Sequence, residues 1–342
     1  MIRKNVILIT GASGEIGHGL IEQLSERGDS SIITIDLQPL ASEMRDRVDR
    51  EFTGSIMEDH LLQRILAEFE VEKIFHLAAL LSTRAEFTPV TAHQVNVEGT
   101  LKLLNFAQAQ GESHARPVTF IYPSSIAAYG MRDLDHKAKA GKIREHEWNT
   151  PTTMYGCNKL YCEHLGRYYS RYFKQLSAEP LSGKVDFRAI RFPGLILAET
   201  VPSGGSSDYA PEMIHAAAEG VPYACFVEPS TRIPFMLMTD AVEATLRLAH
   251  APRENLSQTV YNITAFNPSA AEIRDLVLEG FPDAEISFEP DLKRLAIVES
   301  WPEDVDDSAA RRDWGHAPQY GLERAFSEYL FPRIREHYRV SD

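Results

Sequence analysis

Cysteine is scarce in this 342-residue chain. The three present, Cys157, Cys162 and Cys225, have neither the number for a full set of disulfide pairs nor the CxxC spacing of a zinc site, so a reducing compartment is expected. Positive charge is short as well: 35 Lys and Arg against 49 Asp and Glu leave a formal charge of −14, spread along the chain. That leaves no electrostatic footprint for nucleic acid or for an anionic membrane. Long apolar runs are missing. Val6–Ile9 follows basic Arg3 and Lys4 but meets Thr10 and Gly11 at once, too early for a signal peptide, and nothing approaches the ~18 residues that span a bilayer. The twelve histidines show no metal-ligand spacing. The expectation is a cytoplasmic protein without nucleic-acid, membrane or metal partners.

What remains is an ordinary globular composition, 44% hydrophobic and 25% charged, which excludes disorder, collagen and coiled coil. Short β-rich runs alternate with segments of helical period, the pattern of βαβ units and a parallel sheet. Strands are expected at Asn5–Thr10, Ser31–Asp36, Lys73–Leu77, Val118–Pro123, Val185–Phe192 and Thr259–Thr264. Helices are expected at Glu15–Arg27, Glu58–Phe69, Val90–Ala109, Thr152–Lys174, Asp208–Glu219 and Asp240–His250. Val-Ile-Leu-Ile at positions 6–9 is apolar without alternation, as a strand covered on both faces requires. The fold class is α/β, a Rossmann-type doubly wound parallel sheet with a smaller C-terminal α/β substrate lobe. Residues 1–198, rejoined by 235–265, form the expected NAD-binding domain, and 199–234 with 266–342 the lobe. Within the lobe a helix Ser269–Leu278, a strand Glu285–Glu289 and a last helix Leu322–Glu336 flank an irregular acidic stretch. Residues 131–147, dense in both charges and without an apolar stripe, read as a solvated loop, with a substrate lid as the alternative.

Gly11-Ala12-Ser13-Gly14-Glu15-Ile16-Gly17 follows the first strand and opens a helix. Glycines at this spacing let a pyrophosphate approach the backbone at a helix N-terminus, whose N–H groups and dipole hold its charge. Nineteen residues after Gly17 the second strand ends in Asp36, placed to accept from adenosine ribose hydroxyls and to repel a 2′-phosphate. Leu37 and Gln38 offer no Arg to reverse that choice, so the cofactor is NAD.

Of thirteen tyrosines only Tyr155 has a lysine four residues on, Lys159, on one helix face. Ser124 and Ser125 end the Val118 strand at the carboxyl edge, where such sheets bind ligands. An ammonium and a cationic nicotinamide beside Tyr155 would favour its phenolate, letting it remove an alcohol proton while hydride leaves the carbon. Ser125 would hold the substrate oxygen, and Lys159 would also reach the nicotinamide ribose.

The glycine turn, Asp36, His76-Leu77-Ala78-Ala79, Asn96, Ser125 and Tyr155–Lys159 together resemble the extended short-chain dehydrogenase/reductases, the NAD-dependent epimerase/dehydratase superfamily. The similarity is greatest to its short-chain-type L-threonine 3-dehydrogenases, through His76–Ser82, Pro123–Ala127, Arg191–Gly194, Gly204–Ala210, Ser230–Ala241, Tyr261–Thr264 and above all Ser300–Gly315. The resemblance implies Tyr155 as base with Lys159 and Ser125. It implies Leu77, Ala78, Ala79, Asn96 and Pro193 at the cofactor, Pro193-Gly194 lying against the nicotinamide carboxamide. Ser82, Ser206 and Asp208 fall at the substrate, where hydroxyls suit a carboxylate and an anion suits an ammonium. A helix N-cap is the structural alternative for Asp208. It also implies a homodimer through the Val90–Ala109 and Thr152–Lys174 helices, with Leu101, Leu104, Leu160 and Leu165 consistent with such a face. The alternatives are a nucleotide-sugar epimerase, dehydratase or dehydrogenase, in which Arg232 would meet a diphosphate, and a non-catalytic NAD-binding regulator. Ser55 departs from an Asp near the adenine, and Ser206-Ser207 from the family's paired threonines.

Overall fold

Every residue of the first strand from Val6 to Thr10 is buried, because helices cover both faces of the sheet to which it belongs. In the computed structural model, which describes residues 3–28, 30–177, 183–202 and 204–339, the sheet has seven parallel strands. They are β1 (Lys4–Thr10), β2 (Ser31–Asp36), β3 (Arg50–Thr53), β4 (Phe69–His76), β5 (Val118–Ser125), β6 (Val185–Phe192) and β7 (Val260–Asn262), in the order β7-β6-β5-β4-β1-β2-β3. Order reverses between β1 and β4, so the carboxyl ends of those strands open the crevice in which doubly wound sheets bind ligands.

The helices that matter for the site are α1 (Glu15–Arg27), α2 (Gly99–His114), α3 (Leu134–Ala140), α4 (Met154–Arg171), α5 (Tyr209–Glu219), α6 (Met238–His250) and α7 (Leu292–Glu299). Alternation along β1 divides the packing: Val6 and Leu8 join the core under α2 and α4, while Ile7 and Ile9 join the one under α1 and α6. A separate core gathers Tyr209, Met213, Phe226, Phe235, Trp301 and Phe326 from the chain beyond the sheet. Ser269 caps the helix Ala270–Gly280 through a complete capping box with Glu272.

Four expectations need correction. β3, sequence Arg-Glu-Phe-Thr, buries only Phe52, too little apolar signal to read as a strand. The expected Val90–Ala109 helix is Pro89–His93, a π-helical turn Gln94–Glu98 and then α2, the wider turn seating Asn96 inward. The acidic stretch is ordered as α7, a bridge at Asp304–Val305 and a helix Ser308–Trp314. The 131–147 segment is not a solvated loop. It holds α3, buries Met131, Lys137 and Ile143, and pairs Lys142–Ile143 with Asp304–Val305. Glu145 ties it to the sheet edge, its side chain accepting from the Asn262 N–H at 2.9 Å and its carbonyl from Arg191 at 3.1 Å. Of the Gly/Ser-rich residues 201–207, Ser203 lies outside the described residues. Among the described residues no helix is long and apolar enough to cross a membrane, and no His/Cys/Asp/Glu cluster could hold a metal.

Candidate active site

β1 and α1 meet with little room between backbones. Gly11 has φ +69°, and a Cβ there would stand 2.5 Å from the Ala78 nitrogen, so the turn lies directly on the chain leaving β4. A Cβ on Gly17 would stand 2.4 Å from the Ala12 carbonyl oxygen, whereas on Gly14 it would meet nothing nearer than the Gly11 oxygen at 3.4 Å. Gly14 is the N-cap of α1 and supplies no side-chain cap. The first N–H groups of the helix, at Glu15 and Ile16, therefore have no side-chain acceptor on the glycine-lined side, which is the arrangement a pyrophosphate completes. The residues fit NAD. The Asp36 carboxylate, at the end of β2, accepts from the Ser13 and Gln38 N–H groups at 2.9 and 3.0 Å. Ser55 forms a turn with Met57 and Glu58 just beyond β3.

The strand ends are locked by a buried relay. The Thr100 hydroxyl donates to the Asn96 carbonyl at 2.6 Å, so it accepts from His76 Nε2–H at 2.9 Å. His76 Nδ1 then accepts from the Thr10 hydroxyl at 2.8 Å. Burial, with the Lys159 charge adding to it, lowers His76 to about 3, which keeps the ring neutral. Asn96 grips Leu80 in both directions, accepting its N–H at 2.8 Å and donating to its carbonyl at 3.0 Å. That fixes Leu77, Ala78 and Ala79 beside the glycine turn.

Ser125 and Tyr155 are brought to one place by a second close approach. Thr153 caps α4 by accepting from Gly156 N–H at 3.0 Å. A Cβ on Gly156 would stand 2.0 Å from the Ala127 carbonyl oxygen, so the first turn of α4 touches the turn that follows Ser125. Ser125 Oγ accepts from Ala127 N–H at 3.1 Å, leaving its proton to donate elsewhere. Lys159 donates to the Pro123 carbonyl at 2.6 Å, and its Nζ lies 5.3 Å from the centre of the Tyr155 ring. Burial lowers Lys159 to about 8 and raises the Tyr155 phenol far above its usual value. Burial is thus the force acting on the Tyr155 phenol in the chain's own surroundings, and it favours the neutral form.

Sequence reasoning missed the support behind Ser125. Arg191, 1% exposed, forks onto Glu163 at 2.8 and 2.6 Å, and Ser124 donates to the same carboxylate. The signal was an arginine inside the apolar run of β6.

On the opposite side, Ser206 Oγ donates to Ser82 Oγ at 3.3 Å, and Thr83 holds the Gly204 carbonyl at 2.9 Å. Asp208 stands at the N-cap of α5 but caps no helical N–H; it accepts instead from Gly205 N–H at 2.6 Å. Desolvation and then the Asp208 charge raise the Glu15 carboxyl, against a hydrogen bond from Thr200. Pro193 is buried between β6 and the short strand Gly194–Ile196. Arg232 pairs with Glu272 at 2.8 Å and donates to the Asn267 carbonyl at 2.8 Å.

The sequence profile of the NAD dependent epimerase/dehydratase family matches residues 7–264. Mitochondrial L-threonine 3-dehydrogenase of Bos taurus is 32% identical over 318 residues, 92% of this chain and 79% of its own. The holo form of the GalE-like L-threonine dehydrogenase from Cupriavidus necator superposes with a TM-score of 0.83 at 34% identity, covering 95% of this chain and 99% of that one. A monomeric L-threonine 3-dehydrogenase from a metagenome database gives 0.83 at 32%, covering 97% and 100%.

Proposed function

This chain belongs to the NAD dependent epimerase/dehydratase family and is an NAD-dependent oxidoreductase, and from that premise we propose that it oxidises the β-hydroxyl of L-threonine, or of a close small hydroxy acid, to 2-amino-3-ketobutyrate. The glycine turn from Gly11 to Gly17 holds the pyrophosphate and Asp36 the adenosine ribose. Leu77, Ala78, Ala79, Asn96 and Pro193 line the nicotinamide half. When bound, NAD supplies the hydride acceptor and a positive charge near Tyr155. As the phenolate, Tyr155 Oη takes the proton of the substrate hydroxyl, Ser125 donates to the same oxygen, and Lys159 orients the pair and reaches the ribose. Proton to Tyr155 and hydride from the carbinol carbon leave a ketone, so charge and atoms balance.

The observation that carries the substrate reading is the small polar site made by Ser82 and Ser206, 3.3 Å apart, with Asp208 beside them. Hydroxyls suit the amino-acid carboxylate, and Asp208 suits the ammonium. A nucleotide sugar would need cations for its diphosphate and aromatic or apolar groups for its base. The second core and the loops before it, residues 199–234 and 266–342, form the substrate lobe on the NAD-binding domain of 1–198 and 235–265. Initial rates of NADH formation with L-threonine, against a UDP-sugar control, test the assignment. Turnover confined to threonine supports it; turnover on the UDP-sugar alone contradicts it.

We also propose a homodimer through α2 and α4. Leu104 is buried and Leu160 and Leu165 are half-buried, so of the four leucines only Leu101 is exposed. The faces instead show Tyr161 and Tyr168, with Phe87 and Val90 just before α2.

A further inference from the structure

Lys137 occupies a place where a leucine is expected. It is the buried residue of α3, 2% exposed, and its Nζ reaches Glu299 at 2.6 Å. The other Glu299 oxygen accepts from the Thr231 hydroxyl at 2.6 Å, so one carboxylate joins three segments distant in sequence. Glu299 is the last residue of α7, where the helix dipole favours a cation. A buried lysine is a poor way to stabilise a fold, since a well-packed apolar side chain of similar volume often does as well or better. What the charge adds is direction: an ammonium fixes where its carboxylate stands.

The residue after Glu299 connects this bridge to the chemistry. Ser300 accepts at its carbonyl from Met131 N–H at 2.7 Å and at its Oγ from the Thr152 hydroxyl at 3.0 Å. Thr152 directly precedes Thr153, the cap of α4, which carries Tyr155 in its first turn. Trp301, next along, is buried in the second core. Two polar contacts, Lys137 to Glu299 and Thr152 to Ser300, joined by the peptide bonds Glu299–Ser300 and Thr152–Thr153, therefore link Lys137 to the N-terminus of α4, bracing the second core against the helix of the proposed base.

We propose that Lys137 is a positioning residue for alcohol oxidation: its bridge to Glu299 sets the spacing between the second core and Tyr155. The inference rests on the reading of Tyr155 as base and gives the charged 131–147 segment a role in engaging the substrate, while the NAD turn lies outside its reach.

The test compares Lys137→Met, Glu299→Gln and the double variant with the wild type, measuring kinetics, melting temperature and amide hydrogen exchange. Lys137→Met is expected to lower kcat/KM for the alcohol by roughly tenfold or more, since small misplacements at a reacting centre are costly, with the KM for NAD within twofold. It should also speed exchange at the amides of 152–156 and 299–301 while leaving 11–17 unchanged. The double variant, lacking both charges, is expected to regain melting temperature without regaining kcat/KM. Recovery of both together would show that the bridge acts only through stability, and unchanged kcat/KM in Lys137→Met would equally overturn the proposal. A wild type inactive on threonine would contradict the substrate assignment instead. Exchange at 152–156 then decides on its own: faster in Lys137→Met supports the brace, unchanged overturns it.

Discussion

Tyr155 and Lys159 are driven apart in proton affinity, the phenol upward and the ammonium down to about 8, by the same burial. Burial favours the neutral phenol, and a cation beside it favours the phenolate. His76 carries a different consequence. Its usual 6.5 falls to about 3 in the folded chain, so the unfolded chain binds the extra proton first as pH drops. The stability it contributes is complete above pH 6.5 and is lost as pH falls toward 3, by on the order of 4 kcal/mol. Urea unfolding across that range should show the loss, and His76→Asn should flatten it; an unchanged acid limb in the variant would exclude His76 as its source. At this scale the sequence showed most where residue type and spacing coincide, as in Tyr155 with Lys159 and the glycines with Asp36. Arg191 with Glu163 was hidden because the pair joins separate elements and has no local spacing.

Elements were legible where both faces are buried. The apolar runs of β1, β2 and β6 identified themselves, while β3, with one buried residue in four, did not. The 131–147 segment misled for a physical reason: its apolar anchors, Met131 and Ile143, are too far apart to make a stripe, and its principal buried group is a charge. Two elements can be tested by single substitutions. Gly11→Ala imposes φ +69° on a side chain and drives its Cβ to 2.5 Å from Ala78. It is expected to cost about 1–3 kcal/mol of strain before the clash and to abolish NAD binding by fluorescence titration. Glu163→Ala leaves Arg191 buried without its partner and should cost about 3–5 kcal/mol in denaturant unfolding. A shift under 1 kcal/mol would mean the β6 arginine is satisfied by Glu145 and the Tyr129 ring, 4.5 Å from its guanidinium carbon.

The whole molecule joins the cores on the two faces of the sheet to a further core built around Tyr209, Phe226 and Trp301, the one proposed for the substrate side. Tyr161, 54% exposed on α4, and Phe87, 81% exposed just before α2, lie on the proposed dimer faces. Sedimentation velocity should give a dimer that Tyr161→Glu converts to monomer; a monomeric wild type would instead align this chain with its monomeric relative. The central claim is narrower, that hydride leaves the β-carbon of threonine as Tyr155 takes the hydroxyl proton. L-Threonine deuterated at C3, supplied with NAD, tests it in one measurement on the wild type and Tyr155→Phe. The account requires deuterium in the reduced cofactor with a primary isotope effect, and a loss of roughly 10²–10⁴ in rate for the variant at unchanged NAD affinity. Reduced cofactor without deuterium, or a variant as fast as the wild type, would contradict it.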